Sequence, residues 1–140
     1  MRAAVILGAG FSKNSGLPVQ SEIPELLIEY QQDNPFENNI SKIIEGFYVD
    51  VFGFSRGAVP PSLDDLLTCI DISTKAEHHL SIKYSPLHLR AIRRFIVYRL
   101  FKILEDKYIY SEAVFNLVNK LLKNYSKVDF IVLNWDTVLE

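Results

Sequence analysis

Two short apolar runs stand near opposite ends of this 140-residue chain, and the residue types directly after each of them limit the fold. Arg2 to Leu7, "RAAVIL", runs straight into glycine; Lys127 to Leu133, "KVDFIVL", runs into Asn134. Near-continuous Val/Ile-rich runs of this length read as strands buried on both faces of a parallel sheet. Between them the apolar spacing is helical. Ile23, Leu26, Leu27 and Tyr30 fall at i, i+3, i+4 and i+7, with Ser21 as the expected N-cap. Ile40, Ile43, Ile44 and Phe47 repeat that spacing. So do Leu63, Leu66, Leu67 and Ile70, behind a Ser62–Asp65 capping-box spacing in which Asp replaces the usual Glu. Ser85-Pro86 predicts the start of a long helix ending near Lys107. Ser111 predicts another, carrying Val114, Phe115, Val118, Leu121 and Leu122. Tyr48 to Pro61 opens as either helix or strand and continues as a loop set by Gly53, Gly57 and two prolines.

This order predicts an α/β fold: a Rossmann-like parallel sheet with a large helical insertion, at about 21–125, between the first two motif-bearing strands of a single domain over 1–140. An ordinary βαβ unit needs only about 30 residues. Two parallel strands do not make a stable sheet by themselves. The expectation is therefore an incomplete domain, either the front part of a longer protein or one that completes its sheet by association.

Composition excludes several partners. A net charge of −2 advertises no polyanion. Arg90, Arg93 and Arg94 lack the interleaved aromatic platform of a nucleic-acid surface and read as a solvated or ion-paired helix face. The single cysteine, Cys69, supports neither an internal disulfide nor a metal site. Asp64-Asp65 reads as a pair of helix N-terminal acids, so no metal is expected. "FIVYRLFKIL" is too short to span a bilayer and is interrupted by Arg99 and Lys102. With no secretory leader, the chain reads as cytoplasmic and free of membrane contact. His78 and His79 read as loop residues and His88 as packed or capping. The aromatic residues between Phe95 and Tyr110 read as core or as a surface for a partner helix.

The chemistry concentrates in "VILGAGFSKNSGLP". Glycines at a strand-to-helix junction permit a sharp bend and close backbone approach, and the helix start offers N–H groups to an anion. Ser12 and Lys13 add a hydroxyl and a cation. The dehydrogenase pattern G-x-G-x-x-G would need glycine where Lys13 stands, and the P-loop pattern is absent. Asn134 and Asp136 come after the second run. If its strand is parallel to the first, both loops leave one carboxyl edge of the sheet, where open α/β folds bind ligands. The plainer alternatives are a glycine turn without ligand and an Asx turn ending a strand.

"GAGFSKNSGLP" together with "LNWDTVLE" resembles the sirtuin-like NAD-binding domains, in particular the branch found in bacterial anti-phage defence proteins, and "SLDDLL" is similar to an acidic helical motif between the two. The resemblance implies that Gly8, Ala9, Gly10, Phe11 and Ser12 line the NAD diphosphate and adjoining ribose. It implies that Asn134 is the catalytic asparagine near the nicotinamide ribose and that Asp136 supports the nicotinamide pocket. It further implies hydrolysis of NAD to nicotinamide and ADP-ribose, in homo-oligomers or in fusion with a C-terminal sensor region. The Asp-Phe-Arg that comes after G-[IL]-P in the deacylases is replaced here after Pro18 by Val19-Gln20, and Cys-x-x-Cys zinc pairs are absent. Both points lead away from protein deacylation. The family's catalytic histidine lies downstream of the N-x-D motif, beyond Glu140, so the 140 residues alone are expected to bind NAD poorly and turn it over slowly or not at all. Two other functions fit the same residues: sensing NAD or ADP-ribose without turnover, and an assembly module built on the helical insertion.

Overall fold

The computed structural model describes residues 1–30 and 34–133, with Ala9 described through its backbone alone. The elements run in the order β1 (Arg2–Leu7), α1 (Ala9–Lys13), a 3-10 turn (Gln20–Glu22), α2 (Ile23–Glu29), α3 (Pro35–Phe52), α4 (Leu63–Lys75), α5 (Pro86–Lys107), α6 (Glu112–Asn124) and β2 (Lys127–Val132). They form two compact units: Met1–Val19 with Leu104–Glu140, and Gln20–Ile103.

In the first unit β1 and β2 pair in parallel, with Arg2 opposite Lys127 and Leu7 opposite Val132. The Leu133 N–H extends the ladder by donating to the Leu7 carbonyl at 2.9 Å. Side chains alternate across a strand, which sorts the pairs into two faces. Ala3–Val128 and Val5–Phe130 lie half-buried on the face that ends in buried Leu7, whereas Arg2–Lys127, Ala4–Asp129 and Ile6–Ile131 are exposed on the other. α6 packs against β2 and is capped by Ser111, whose hydroxyl accepts from the Val114 N–H at 3.4 Å.

The second unit is helical and has its own core. Leu27 of α2, Ile40, Ile44, Phe47 and Tyr48 of α3, Leu63, Leu66 and Ile70 of α4, and Leu89, Ile92, Ile96 and Ile103 of α5 are all withdrawn from water. Ser62 caps α4 by accepting from the Asp65 N–H at 3.1 Å. The Asp65 carboxylate accepts the Ser62 hydroxyl at 2.7 Å, so the short acid closes the box on the side chain. α3 runs on to Phe52 and stops at Gly53, whose φ of 65° is left-handed; the Phe54 N–H returns to the Tyr48 carbonyl. That resolves the ambiguous start of the 48–61 stretch as helix.

The structure corrects the expected fold class. Among the described residues the protein is mostly helical, 62%, and two short parallel strands form a two-stranded sheet rather than a Rossmann-like sheet with a helical insertion. The helices between the strands bury their apolar stripes on one another, so a sheet is not needed to cover them. The second correction is to the strands: neither is buried on both faces, because the alternate positions Ala4, Ile6, Asp129 and Ile131 are exposed. A third concerns Ser21, which lies in the 3-10 turn, while α2 starts behind Glu22 with Pro24 in its first turn and without a side-chain cap.

Candidate functional site

The glycine turn is built directly from the end of β1. Leu7 is buried, Gly8 is extended (φ −113°, ψ 178°) and acts as the N-cap of α1, and the chain is helical from Ala9. The Phe11 N–H donates to the Gly8 carbonyl at 2.9 Å. α1 ends after Lys13, and the Ser12 carbonyl then collects the Ser15 and Leu17 N–H groups at 2.9 and 3.3 Å. Gly16 adopts φ 77°, and a Cβ there would stand 2.4 Å from the Lys107 carbonyl. The Ile109 N–H donates to the Ser15 carbonyl at 2.9 Å, tying the turn to the chain just after α5.

Gly8 and Gly10 differ from Gly16. Both are exposed, neither has a positive φ, and an added Cβ at either would meet none of the described residues within 4 Å. The fold itself therefore makes no steric demand for glycine at these two positions. Phe11 is half-buried. Ser12 is only 2% exposed, so it orders the turn from inside through its carbonyl. Lys13 is exposed. Asn134 and Asp136 lie outside the described residues. Leu133, the last described position, is hydrogen-bonded beside Leu7 at the same sheet edge from which Gly8 departs.

The other groups singled out in the sequence are engaged elsewhere. Arg90 pairs with Glu77 at 2.6 Å and Arg93 with Asp71 at 2.7 Å. Asp64 accepts from the Gln20 side chain at 2.7 Å. His78 and His79 are exposed, and His88 is exposed with Nδ1 3.2 Å from the Lys83 carbonyl. Burial pushes the Cys69 thiol above its ordinary pKa, which makes it a poor nucleophile. Among the described residues, no three His, Cys, Asp or Glu side chains gather as a metal site, and no helix is long and apolar enough to cross a membrane.

Periodicity could not reveal three arrangements. In the second unit Arg99, 0% exposed, donates to the carbonyls of Tyr30 and Glu37 and lies 5.0 Å from the Tyr30 ring centroid. The Glu37 carboxylate accepts the Tyr98 hydroxyl at 2.6 Å. In the same unit Asp50 accepts from Lys83 at 2.5 Å and from the Tyr84 hydroxyl at 2.6 Å; these donors, Lys83 first, hold its carboxyl below the usual range. In the first unit Ser15 is 1% exposed and its hydroxyl has no partner. A buried hydroxyl left unpaired costs about 1–3 kcal/mol. The signal available in sequence was a serine just ahead of the glycine that turns left-handed.

No protein-family model, curated protein or solved structure matches the chain.

Proposed function

We propose that the first unit binds NAD at the strand tips and, with Asn134 as its water- and ribose-positioning residue, belongs to an NAD hydrolase that releases nicotinamide and ADP-ribose. The observation that carries this reading is the open space at Gly8 and Gly10, directly after a strand whose tip is paired with the strand leading to Asn134. Glycine without a steric cause, at a β-to-α junction, is what a backbone cradle for a diphosphate needs. The paired motifs "GAGFS" and "NWD" support the same ligand.

The chemistry suits these groups. Nicotinamide leaves as a neutral molecule once the ribose bond breaks, so no acid is needed to protonate it, and the ribose acquires oxocarbenium character. The protein's work is then to hold the ribose, orient water and stabilise charge as it develops. A neutral carboxamide such as Asn134 can position both the hydroxyls and the water. Ser12 supports the turn from within, and Asp136 would shape the nicotinamide side. An anti-phage role, NAD depletion and assembly through further copies or a fused sensor are parts of the same proposal, supported by the motif resemblance alone.

Thermal unfolding of the chain with and without NAD tests binding, because a ligand held by the folded state stabilises it by about 2.7 kcal/mol at a hundredfold excess over Kd. Chromatography of NAD incubated with a longer version that carries the downstream histidine tests turnover through nicotinamide release. Stabilisation that Asn134→Ala reduces supports the reading. Unchanged stability at millimolar NAD defeats it, and nicotinamide release that Asn134→Ala leaves intact removes the asparagine from its role.

A further inference from the structure

A cavity of about 190 Å3 lies within the first unit, and neither Gly8 nor Gly10 lines it. Ser15, Tyr108, Tyr110, Val114, Phe115 and Val118 line it, together with the α6 cap Ser111. Three properties define what it accepts.

The first is an unused hydrogen-bonding group. The Ser15 N–H donates to the Ser12 carbonyl and the Ser15 carbonyl accepts from Ile109, both at 2.9 Å. That leaves the buried Oγ as the residue's one polar atom without a partner. The second is aromatic surface kept in water: Tyr108, Tyr110 and Phe115 are each half or more exposed. The Tyr110 and Phe115 rings stand 6.2 Å apart, tilted by 49°, a contacting pair against which a third ring can pack with stacked or edge contacts. The third is the combination of size and charge. Drug-sized ligands occupy pockets of roughly 300–1,000 Å3, so this one admits a single ring. Its lining holds no Asp, Glu, Lys, Arg or His, which disfavours a phosphate or carboxylate. The walls are also fixed in advance. The Ser15–Ile109 hydrogen bond holds one side, and the Ser111 cap holds the start of α6 on the other.

We propose that this cavity binds one neutral planar heteroaromatic ring with a hydrogen-bonding edge, seated against Tyr110 and Phe115 with that edge on the Ser15 hydroxyl. Nucleobases and pyridine carboxamides have this chemistry. The site is distinct from the proposed NAD cradle and requires neither Asn134 nor Asp136.

Titration of the isotope-labelled chain, followed by backbone and aromatic NMR shifts, tests it with adenine, nicotinamide and cyclohexanecarboxamide, the last being a carboxamide without a flat ring. Saturable shifts at Ser15, Tyr110 and Phe115 with adenine or nicotinamide are expected, and none with cyclohexanecarboxamide. Ser15→Ala should weaken the ring ligand about three- to tenfold, the equivalent of one hydrogen bond. Phe115→Leu, on a side chain half in water, should weaken it as well and keeps the test open if Ser15→Ala fails to fold. Phe115→Leu should leave NAD-induced stabilisation unchanged, which separates this site from the one proposed for NAD. AMP binding as well as adenine identifies the ring as part of a nucleotide, whereas adenine alone identifies a free base. Absent or non-saturating shifts, equal binding of cyclohexanecarboxamide, or an unaltered affinity in both Ser15→Ala and Phe115→Leu would overturn the proposal.

Discussion

The guanidinium of Arg99, on α5, and the carboxylate of Glu37, on α3, form an ion pair at 3.3 Å with 0% and 2% of their side chains exposed. Arg99 also serves the carbonyl of Tyr30, at the C-terminal end of α2, where the Ser41 hydroxyl donates too. One charged side chain thus ties three helices. Burial lowers the Arg99 pKa and the facing Glu37 opposes that shift. Removing either partner leaves the other buried without its counter-charge, which costs about 3–5 kcal/mol. Glu37→Ala and Arg99→Met should each lower the free energy of unfolding by that amount. The double variant should lose less than the sum of the two, because the second substitution removes a charge already stranded. Urea denaturation of the four proteins measures this.

Gly10→Ala separates folding from binding. Its Cβ would enter open space within α1, where alanine is favoured over glycine by about 0.5–1 kcal/mol. Thermal stability should hold or rise slightly, while NAD-induced stabilisation should fall. Differential scanning calorimetry with and without NAD reads both in one series. A variant that binds NAD as well as the parent would show that no ligand approaches this turn.

Gly16→Ala is the opposite case. The left-handed φ and the 2.4 Å approach to the Lys107 carbonyl act together. Left-handed backbone alone costs a non-glycine residue about 1–2 kcal/mol, and relieving the clash means moving the Ser15–Ile109 stitch. The variant should lose at least about 2 kcal/mol in chemical denaturation. The aromatic shifts of Tyr108 and Tyr110 should move with it.

Asp50 predicts an acid dependence. Its carboxyl is held below the usual range, first by Lys83 and then by Tyr84. A carboxylate with a depressed folded-state pKa stabilises the fold above its unfolded pKa, and that contribution disappears as pH falls through the folded-state value. The parent and Asp50→Asn should therefore differ in thermal midpoint near neutral pH. They should converge as pH drops below about 4, where the unfolded-state carboxyl begins to protonate. Midpoints measured across that range check the sign.

Local rules explain what was readable from residues alone. Ser85-Pro86, Ser62 and Ser111 mark helix starts because capping needs only neighbours in the chain, and the structure begins α5, α4 and α6 there. The two apolar runs are the two strands, in parallel register. The larger sheet expected around them is not found among the described residues; an apolar run cannot say how many strands lie beside it or whether both its faces are covered. Ser21 misled because a 3-10 turn satisfies the local hydrogen bonds in its own way and delays the helix by a residue. The Arg99–Glu37 pair, 62 positions apart, leaves no local mark; Arg99 reads in sequence only as an interruption of an apolar run. Gly8 was legible as the end of a strand, but only coordinates distinguish Gly8 and Gly10, where an added Cβ meets no described residue, from Gly16, whose conformation and surroundings require glycine.

The hydrogen bond between Ser15 and Ile109 has an architectural consequence. The chain leaves the strand-bearing unit after Val19 and returns to it at Leu104, and this one bond joins the polypeptide close to both crossings. Segments exchanged between those crossings are expected to leave the β1–β2 register as it is, provided the continuous α5 that carries the return is kept. Chimeras that graft a different helical module at these two points are the natural way to exploit it.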